Sequence, residues 1–426
     1  MNKKEQIKVV PKYRFPEFQN SDSWERCTLA KLADRIEEKV GENVLTTLSI
    51  SAGTGFVSQE EKFSRDISGN QYKNYIHLRK GDFSYNKGNS KTFPQGCIYQ
   101  LTEYEEAAVP NAFISFHFKD NYVSNFYKGY FENNFHGKQL TRFITSGARM
   151  DGLLNIKAPD FFSIVLPTPT ERKEQQKIAD CLASIDDLIS AEDKQLSALK
   201  VHKKGLMQKL FPAEGKTVPE WRFPEFRNSG RWEKTSFKKV FAKFQYGLNA
   251  SAKKFDGRNK YIRITDIDET SRRYLFKNVV SPDCELDDTY LVREGDILFA
   301  RTGASVGKTY IYAIDDGILY FAGFLIRGNV NAKYCAQFIF AQTLSTNYQK
   351  WVAVTSTRSG QPGINATEYE SFAFFCPSLG EQQKISDFLS SVDELITAQA
   401  EKIEALKKHK KGLMQGLFPS IEEVIR

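Results

Sequence analysis

The chain has 426 residues, of which 41% are hydrophobic and 26% are charged. This length predicts roughly two to three domains, because a single hydrophobic core stops growing well below such a size. The sequence lacks the ~20 consecutive apolar residues of a membrane span, and its first residues lack the apolar stretch of a signal peptide. We therefore expect a cytoplasmic protein without a membrane partner.

The net charge indicates the kind of partner, and the cysteine content indicates whether metal sites or disulfides are expected. The net charge of +8 favours an anionic partner such as nucleic acid. The six cysteines form no CxxC pair, and only five histidines are present to complete a metal site. Free buried thiols are therefore predicted, with a zinc site or disulfides as the alternative.

The first recognisable element is a short entry segment that occurs twice. It reads "PKYRFPEFQNSDSWE" from Pro11 and "PEWRFPEFRNSGRWE" from Pro219. Its aromatic and proline residues are predicted to anchor the start of each half, although a surface for a partner is the alternative. The repeat predicts a tandem duplication with a period of about half the chain, which means two domains rather than a solenoid.

The interiors of the two halves share only a few short similar segments. Gly81-Asp82 followed by "FSYNKG" is similar to Gly295-Asp296 followed by "ILFARTG", and "GLLNIKAPDFFSIVLP" is similar to "PGINATEYESFAFFCP". Strand-like runs alternate with turns, and residues 332–351 have the length and periodicity of a helix. We predict two mixed α+β domains with a common fold and different surfaces.

A long helix closes each half. Residues 174–212 and 381–419 are identical at 25 of 39 positions without a gap. Apolar residues recur at alternating spacings of four and three, which is typical of a coiled-coil seam. The seam residues are Ile178, Leu182, Ile185, Ile189, Leu196, Leu199, Leu206 and Leu210 in the first copy, and Ile385, Leu389, Val392, Ile396, Ile403, Leu406, Leu413 and Leu417 in the second.

Both seams are interrupted at the same two places by polar residues. Glu192 corresponds to Gln399, and Lys203 corresponds to Lys410. Polar seam residues lower stability but help to fix register, so they favour one defined partner helix. We predict that the two copies form an antiparallel intramolecular coiled coil in a pseudo-twofold tandem repeat. A homodimeric coiled coil, or a helix folded back on its own domain, is the alternative.

Two related domains on a rigid spacer suit a ligand with two separated recognition points. Duplex DNA is such a ligand, because half-sites one turn apart lie ~34 to 36 Å from centre to centre. Since the two interiors differ, the two half-sites are predicted to differ in sequence. The chain would then bind an asymmetric, bipartite DNA site.

The tandem arrangement, the "RFPEF…WE" openings and the "EQQKI…HKKGLMQ.LFP" helices resemble the specificity subunits of type I restriction-modification systems. The resemblance implies that each interior is a target-recognition domain for one half-site and that the helices are spacers. The implied boundaries are 1–167 for the first target-recognition domain, 168–212 for the first spacer helix, 213–376 for the linker and second target-recognition domain, and 377–426 for the second spacer helix and tail.

The resemblance also implies partners and cofactors. Double-stranded DNA, two modification (methyltransferase) subunits and restriction or motor subunits are the expected partners. No cofactor is expected on this chain. S-adenosylmethionine would bind the modification subunits, and ATP and Mg would bind the motor or nuclease subunits.

Candidate DNA-binding residues come from four polar loops. Arg can read guanine through two hydrogen bonds, Lys can hold phosphate, and amide side chains suit base edges. For each loop the alternative is a polar turn shaped by Gly and Asn. The candidates are Asn86, Lys87, Asn89, Ser90 and Lys91; Arg149 and Asn155; Arg301, Thr302, Ser305 and Lys308; and Arg358, Ser359, Gln361 and Asn365.

Catalytic motifs are not recognisable. "TGASVGKT" at 302–309 has Thr302 where a phosphate-binding loop requires glycine, and neither a methyl-donor loop nor an N/D-P-P-[YF] tetrapeptide is found. We predict a protein that is not itself an enzyme. A coiled-coil adaptor, or a self-contained DNA-modifying enzyme with unrecognised catalytic residues, is the alternative.

Overall fold

The computed structural model describes residues 9–88, 93–144, 154–357 and 360–420. The chain divides into two compact units. The first unit comprises Met1–Asp193 and Glu401–Arg426, and the second comprises Lys194–Ala400. Each dividing point falls inside a long helix, so each unit contains the beginning of one long helix and the end of the other. In the described part of the chain, no helix is both long enough and apolar enough to cross a membrane.

The first unit contains short strands and helices followed by the first long helix. Its strands are β1 (Glu25–Thr28), β2 (Ala33–Arg35), β3 (Leu48–Ser51), β4 (Gly55–Ser58), β5 (Ile76–Arg79), β6 (Phe83–Asn86), β7 (Cys97–Gln100), β8 (Glu106–Val109), β9 (Ile114–Phe118) and β10 (Val165–Thr168). Its helices are α1 (Leu29–Leu32), α2 (Gln59–Phe63), α3 (Ser124–Glu132), α4 (Phe135–Leu140), α5 (Ala158–Phe162) and the start of α6 (Arg172–Leu210).

The second unit contains the same kinds of element. Its strands are β11 (Glu233–Ser236), β12 (Phe241–Tyr246), β13 (Ala252–Lys254), β14 (Lys260–Ile262), β15 (Val280–Pro282), β16 (Asp296–Ala300), β17 (Thr309–Ile311), β18 (Leu319–Phe321), β19 (Leu325–Val330) and β20 (Ala373–Cys376). Its helices are α7 (Phe237–Val240), α8 (Ala336–Thr343), α9 (Thr346–Thr355), α10 (Ala366–Glu370) and the start of α11 (Leu379–Leu417).

Short 3₁₀ helices punctuate both units. They are Pro16–Phe18, Gly69–Asn74, Thr141–Phe143, Pro224–Phe226, Ile264–Asp266, Asp288–Tyr290, Gly303–Ser305 and Ile314–Asp316.

Both units have the same main sheet, although their smaller strand pairs differ. A four-stranded antiparallel sheet has the order β2-β9-β6-β7 in the first unit and β12-β19-β16-β17 in the second. Smaller pairs accompany it, of which β14–β18 is parallel. In each unit the first strand pairs with the strand that directly precedes the long helix. The predicted mixed α/β class and internal repeat are confirmed.

The residues predicted as one helix over 332–351 form two. α8 ends at Thr343 and α9 begins at Thr346, because the hydroxyl of Ser345 accepts a hydrogen bond from the Tyr348 backbone N–H at 3.2 Å. A serine in this position caps a new helix and competes with continuation of the old one.

The repeated tetrapeptide "EQQK" fastens each long helix to its own unit. The buried carboxylate of Glu174 accepts two hydrogen bonds of 2.7 Å from Arg14, and Glu381 accepts bonds of 2.8 and 2.6 Å from Arg222. The indole N–H groups of the entry-segment tryptophans donate to the same carboxylates. The entry segments thus anchor each unit, as predicted.

The second residue of the tetrapeptide makes the same hydrogen bond in both copies. The side-chain carbonyl of Gln175 accepts from the Val123 backbone N–H, and that of Gln382 accepts from the Cys335 backbone N–H, both at 3.0 Å. These bonds connect each long helix to the residue that precedes α3 or α8. The four residues of "EQQK" are exposed or buried in the same way in both copies. The two copies are therefore identical because each attaches its long helix to its unit through the same contacts.

The repeated "LFP" at the helix ends packs into a core. In the first unit, Phe418 lies 5.4 Å from Phe126 and 4.5 Å from Tyr130, measured between ring centroids. In the second unit, Phe211 lies 5.5 Å from Phe338. Each long helix therefore begins at the joint of one unit and ends in the core of the other. The duplication of the helix supplies every unit with one beginning and one end.

The two long helices pack antiparallel within each unit. In the first unit Asp186 pairs with Lys410 at 2.7 Å and Glu192 pairs with Lys402 at 2.6 Å, so residue numbers rise along one helix as they fall along the other. In the second unit, the equivalent of the first of these pairs joins Lys203 to Asp393 at 2.6 Å. None of the predicted seam residues is exposed, which confirms the antiparallel intramolecular coiled coil.

Cysteine environments follow the prediction in part. All six are free, and Cys27, Cys97, Cys335 and Cys376 are buried. Cys181 is half-buried and Cys284 is exposed, so the expectation of burial is wrong for Cys284, which lies in a loop after β15.

Candidate nucleic-acid interface

The repeated Gly-Asp pair forms the turn that starts the central strand of each unit. Gly81 and Gly295 have φ of +96° and +82°, a backbone conformation that favours glycine. The following carboxylates close the turn. Asp82 accepts from the Arg79 backbone N–H at 2.7 Å, and Asp296 accepts from the Arg293 N–H at 2.9 Å. These turns fix where β6 and β16 begin, and hence where their far ends deliver the next loop.

Burial dominates the electrostatics of these two carboxyl groups. It raises the pKa of Asp82 and of Asp296 above the ordinary aspartate value, although the hydrogen bonds that both groups accept oppose the shift. Asp296 also accepts a bond of 2.7 Å from the Asn329 side chain. Their role is structural, because each closes the turn at the sheet end opposite to the candidate loops; Asp296 is buried and Asp82 is half-buried.

At the other end of the central strand, two separate loops meet in each unit. The backbone carbonyl of Lys87 accepts from the Leu154 N–H at 2.9 Å in the first unit, and that of Arg301 accepts from the Ile364 N–H at 2.9 Å in the second. Lys87 and Arg301 each lie six residues after the glycine of the Gly-Asp turn. The same backbone joint therefore presents lysine in one unit and arginine in the other.

The second unit joins its two loops more extensively. Thr302 forms an antiparallel bridge with Gly363, and the Gly303 N–H donates to the Pro362 carbonyl at 3.0 Å. The structure thereby brings Arg301 and Thr302 together with Gln361 and Asn365, which the sequence placed in two unconnected motifs. Gln361 is exposed, so its amide is accessible beside the arginine.

Arg301 is held in a defined orientation. Its guanidinium lies 4.8 Å from the ring centroid of Tyr246, and its Nη1 donates to the Gly323 carbonyl at 3.4 Å. Tyr246 is itself positioned, because its hydroxyl accepts from the Ala366 N–H at 3.1 Å. Phe324, next to Gly323, is 64% exposed. Sequence reasoning missed both aromatic residues, which lie at the end of β12 and in the turn before β19.

Lys308 already has partners within the protein. The residue is buried, and its ammonium donates to the Ile267 carbonyl at 3.0 Å and to the Glu269 carboxylate at 2.5 Å. A phosphate contact by Lys308 would require its ammonium to leave both groups. Ser305 lies half-buried in the 3₁₀ helix that links Thr302 to this lysine. Contacts of Lys308 and Ser305 with DNA stay predictions.

Asn365 caps a helix. Its side-chain oxygen accepts from the Glu368 N–H at 2.9 Å, while the Glu368 carboxylate accepts from the Asn365 N–H at 2.8 Å, which is a capping box at the start of α10. The turn-forming role considered for this residue is present. A base contact by the same side chain stays a prediction.

In the first unit, Asn86 shapes its own turn. Its side-chain oxygen accepts from the Gly88 N–H at 2.9 Å, and its amide donates to the Ile50 carbonyl at 3.4 Å. Lys87 is half-buried and Asn155 is exposed on the neighbouring loop. The remaining candidates lie outside the described residues: Asn89, Ser90, Lys91, Arg149, Arg358 and Ser359.

The fold and the loop joints define a duplicated α/β protein that presents the same pair of loops twice with different side chains. The family model "Type I restriction modification DNA specificity domain" matches residues 230–408. The type I restriction enzyme MjaVIII specificity subunit of Methanocaldococcus jannaschii is 27% identical over 290 residues, which are 65% of this chain and 66% of the relative. The match thus spans slightly less than two thirds of that relative.

Two solved structures share the fold over nearly the whole chain. The S subunit of a type I restriction-modification system from M. genitalium has a TM-score of 0.56 at 14% identity, over 97% of this chain and 100% of that one. A chain from a type I system studied for complex assembly and conformational transition has a TM-score of 0.55 at 14% identity, over 93% and 98%. The predicted resemblance is confirmed as a similarity: residues 230–408 match the specificity-domain model, and the chain is similar in sequence to a type I specificity subunit. The two solved structures share its fold.

Proposed function

We propose that the chain is the non-catalytic, cytoplasmic DNA-reading subunit of a type I restriction-modification complex. Each unit reads one part of an asymmetric bipartite site. The observation that carries the proposal is the duplicated loop joint, Lys87 with Leu154 and Arg301 with Ile364. A shared backbone joint with different side chains suits two reading surfaces for two different base sequences, because base edges are distinguished by side-chain hydrogen bonds and apolar contacts.

A second pair of equivalent positions supports unlike half-sites. Ile114 pairs with Tyr85 in the first unit, and Ile326 pairs with Phe299 in the second. Two residues before these isoleucines stand Ala112 in the first unit and Phe324 in the second, and both are exposed. The turn before this strand is common to both units, closed by the Phe113 N–H on the Pro110 carbonyl and by the Leu325 N–H on the Ala322 carbonyl. The exposed side chain in the turn differs.

The long helices differ from the loops, because one exposed face carries the same residues in both copies. Along one face of α6 and α11, with spacings of four and three, identical exposed residues recur: Gln176, Asp180, Ser184, Leu188 and Ala191, and Gln383, Asp387, Ser391, Leu395 and Ala398. We call this face the repeated stripe. Burial in the coiled coil does not explain identity at exposed positions, whereas binding of the same partner twice does.

We assign the repeated stripe to two modification subunits. These subunits would carry S-adenosylmethionine, and the motor or nuclease subunits would carry ATP and Mg, so this chain needs no cofactor of its own. Leu188 is 43% exposed and Leu395 is 59% exposed. A single exposed leucine is ordinary on a protein surface. A contact site is indicated because the same exposed leucine occurs at the same place on the repeated stripe in both copies.

The decisive experiment is sequencing of modified bases in native DNA with and without this gene. We expect a split motif, with two short specific halves separated by unspecified base pairs, that is lost on deletion. An unchanged methylation pattern in an otherwise active system would refute the proposal.

A domain exchange tests whether each unit reads one half of the motif. Replacement of residues 220–370 by the corresponding segment of a relative should change one half of the motif and leave the other half unaltered.

Purified chain alone, incubated with DNA, Mg²⁺ and S-adenosylmethionine, should give no modified or cleaved product. Its affinity for DNA should fall steeply as salt rises, because phosphate contacts release counterions; a coiled-coil adaptor that binds protein would show no such dependence.

A further inference from the structure

The turn between β18 and β19, two strands of different sheets, carries an exposed phenylalanine beside a fixed arginine. The backbone N–H of Arg301 donates to the Phe324 carbonyl at 3.1 Å, and the guanidinium reaches the carbonyl of the preceding residue, Gly323. The turn is held from its other side, because the Gly323 N–H donates to the Leu248 carbonyl at 2.7 Å. Phe324 and Arg301 are therefore neighbours on a rigid backbone.

The arginine is prepared for a ligand with two acceptors. The guanidinium is held over the ring of Tyr246 and by its Nη1 bond to the Gly323 carbonyl, and a planar fork held in this way loses little freedom when it forms two hydrogen bonds. Within the described residues, Nε and Nη2 make no hydrogen bond, whereas Nη1 is bound to Gly323. In DNA, two acceptors side by side on one base are offered by O6 and N7 of guanine in the major groove.

Few groups of DNA are then available for contact with the phenylalanine ring. An arginine that reads guanine in the major groove places Phe324 in the same groove. The four bases present only one apolar group there, the C5 methyl of thymine. A phenyl ring that is 64% exposed has little reason to remain in water unless such a group covers it in the complex.

From these contacts we infer that Arg301 and Phe324 read two neighbouring base pairs, a guanine through the guanidinium and a thymine methyl through the phenyl ring. The inference rests on the proposed function and assigns base identities to one of its two reading surfaces. The first unit has Lys87 and Ala112 at the equivalent positions. It therefore lacks this pair of contacts, and the guanine and thymine belong to one half-site alone.

The test uses the complete complex of this chain with its modification subunits, and DNA duplexes that carry the motif found by sequencing. Each thymine of the motif is replaced in turn by uracil, which removes only the methyl group. We expect one replacement, in the half-site that changes on exchange of residues 220–370, to weaken binding about fourfold, the value of one buried methyl group. Phe324→Ala should weaken binding to the thymine duplex and abolish the difference between thymine and uracil at that position.

Two further variants complete the design. Arg301→Lys should relax discrimination at the adjacent guanine roughly tenfold to hundredfold, because lysine lacks the planar fork that holds two hydrogen bonds in a fixed geometry. Phe276→Ala is the matched control, since Phe276 is 59% exposed in the same unit but lies by Lys260 and Tyr274, away from Arg301. It should leave binding and the uracil effect unchanged.

The outcomes separate this inference from the proposed function. If the motif is split but no thymine shows an effect that depends on Phe324, or if that half-site lacks a guanine next to a thymine, the inference is overturned and the proposed function stands. If deletion of the gene leaves the methylation unchanged, both are overturned.

Discussion

Arg14 and Glu174 are joined by two hydrogen bonds of 2.7 Å, although 160 residues separate them in the chain. The carboxylate is fully buried and also accepts from the indole N–H of Trp24 at 3.2 Å. The joint between the first unit and its long helix thus depends on one enclosed ion pair. The second unit repeats it with Arg222 and Glu381.

Removal of one partner of this pair should destabilise the first unit strongly. Glu174→Ala leaves a buried guanidinium and a buried indole N–H without their acceptor, and we expect a loss of about 3 to 5 kcal/mol in the free energy of unfolding. Chemical denaturation of the full chain measures it. Lys31→Ala is the control, because its pair with Glu25 is more than half exposed on both sides and should contribute less than about 1 kcal/mol. Equal effects of the two substitutions would contradict the account.

Gly129 on α3 should not tolerate a side chain. A Cβ at this position would lie 2.5 Å from the ring of Phe418, so Gly129→Ala should cost about 1 to 3 kcal/mol through overpacking. Gly205 on α6 has no neighbour within 4 Å of such a Cβ, and Gly205→Ala should stabilise the chain by about 0.5 to 1 kcal/mol. Denaturation midpoints of the two variants give the comparison.

The contact of Gly129 with Phe418 can be tested separately from helix propensity. Combining Gly129→Ala with Phe418→Leu removes the ring atoms that the new methyl group meets, so the two costs should be less than additive in a double-mutant cycle. Strict additivity would show that Phe418 does not fill the space against Gly129.

His136 should make the first unit sensitive to acid. Burial lowers the pKa of His136 to about 4, although a weak contact with the Gly96 carbonyl opposes the shift. Because the folded-state pKa lies below the unfolded value of about 6.5, the stabilisation is complete above pH 6.5 and is lost as the pH falls towards 4. The loss should reach about 3 kcal/mol.

The free energy of unfolding, measured at intervals between pH 7.5 and 4, tests this expectation. His136→Gln should reduce the slope in this window, whatever its effect on stability at pH 7.5. An identical slope in the variant would show that other groups cause the acid sensitivity.

The repeated stripe should bind the modification subunits. Leu188→Asp and Leu395→Asp each place a charge on one copy of the stripe, and we expect each to weaken binding of one modification subunit tenfold or more, while the double variant loses both. Sedimentation of the assembled complex measures the stoichiometry. Val201→Asp is the control, since Val201 is 71% exposed but its counterpart is Lys408. Full assembly of the double variant would show that the repeated stripe does not bind the modification subunits.

Much of the architecture was predictable from local patterns. The alternating spacing of four and three identified the seams, and the polar residues Lys203 and Lys410 within them indicated a defined register. The structure gives those lysines acidic partners in Asp393 and Asp186. The repeat of "EQQK" was visible, but its meaning was not, because the partners Arg14 and Val123 of the first copy lie far away in sequence.

The candidate interface was harder to predict, because it combines side chains from several strands. Lys308 reads as an exposed cation beside Thr302, yet it is buried against Glu269. Asn365 reads as a base-contacting amide, yet it caps α10. Local sequence cannot distinguish these roles, since hydrogen-bond partners are assigned by tertiary contacts rather than by residue type.

By itself, the sequence determined the duplication, the two long helices and their amphipathic seams, because those features depend on periodicity and on identity between the halves. Only the tertiary structure decided which side chains stand together. Strand β19 lies between β12 and β16, and this order brings Tyr246, Arg301 and Phe324 together at one end of the sheet. Such a cluster arises from the hydrogen-bonding order of strands that are distant in sequence, and no local pattern encodes that order.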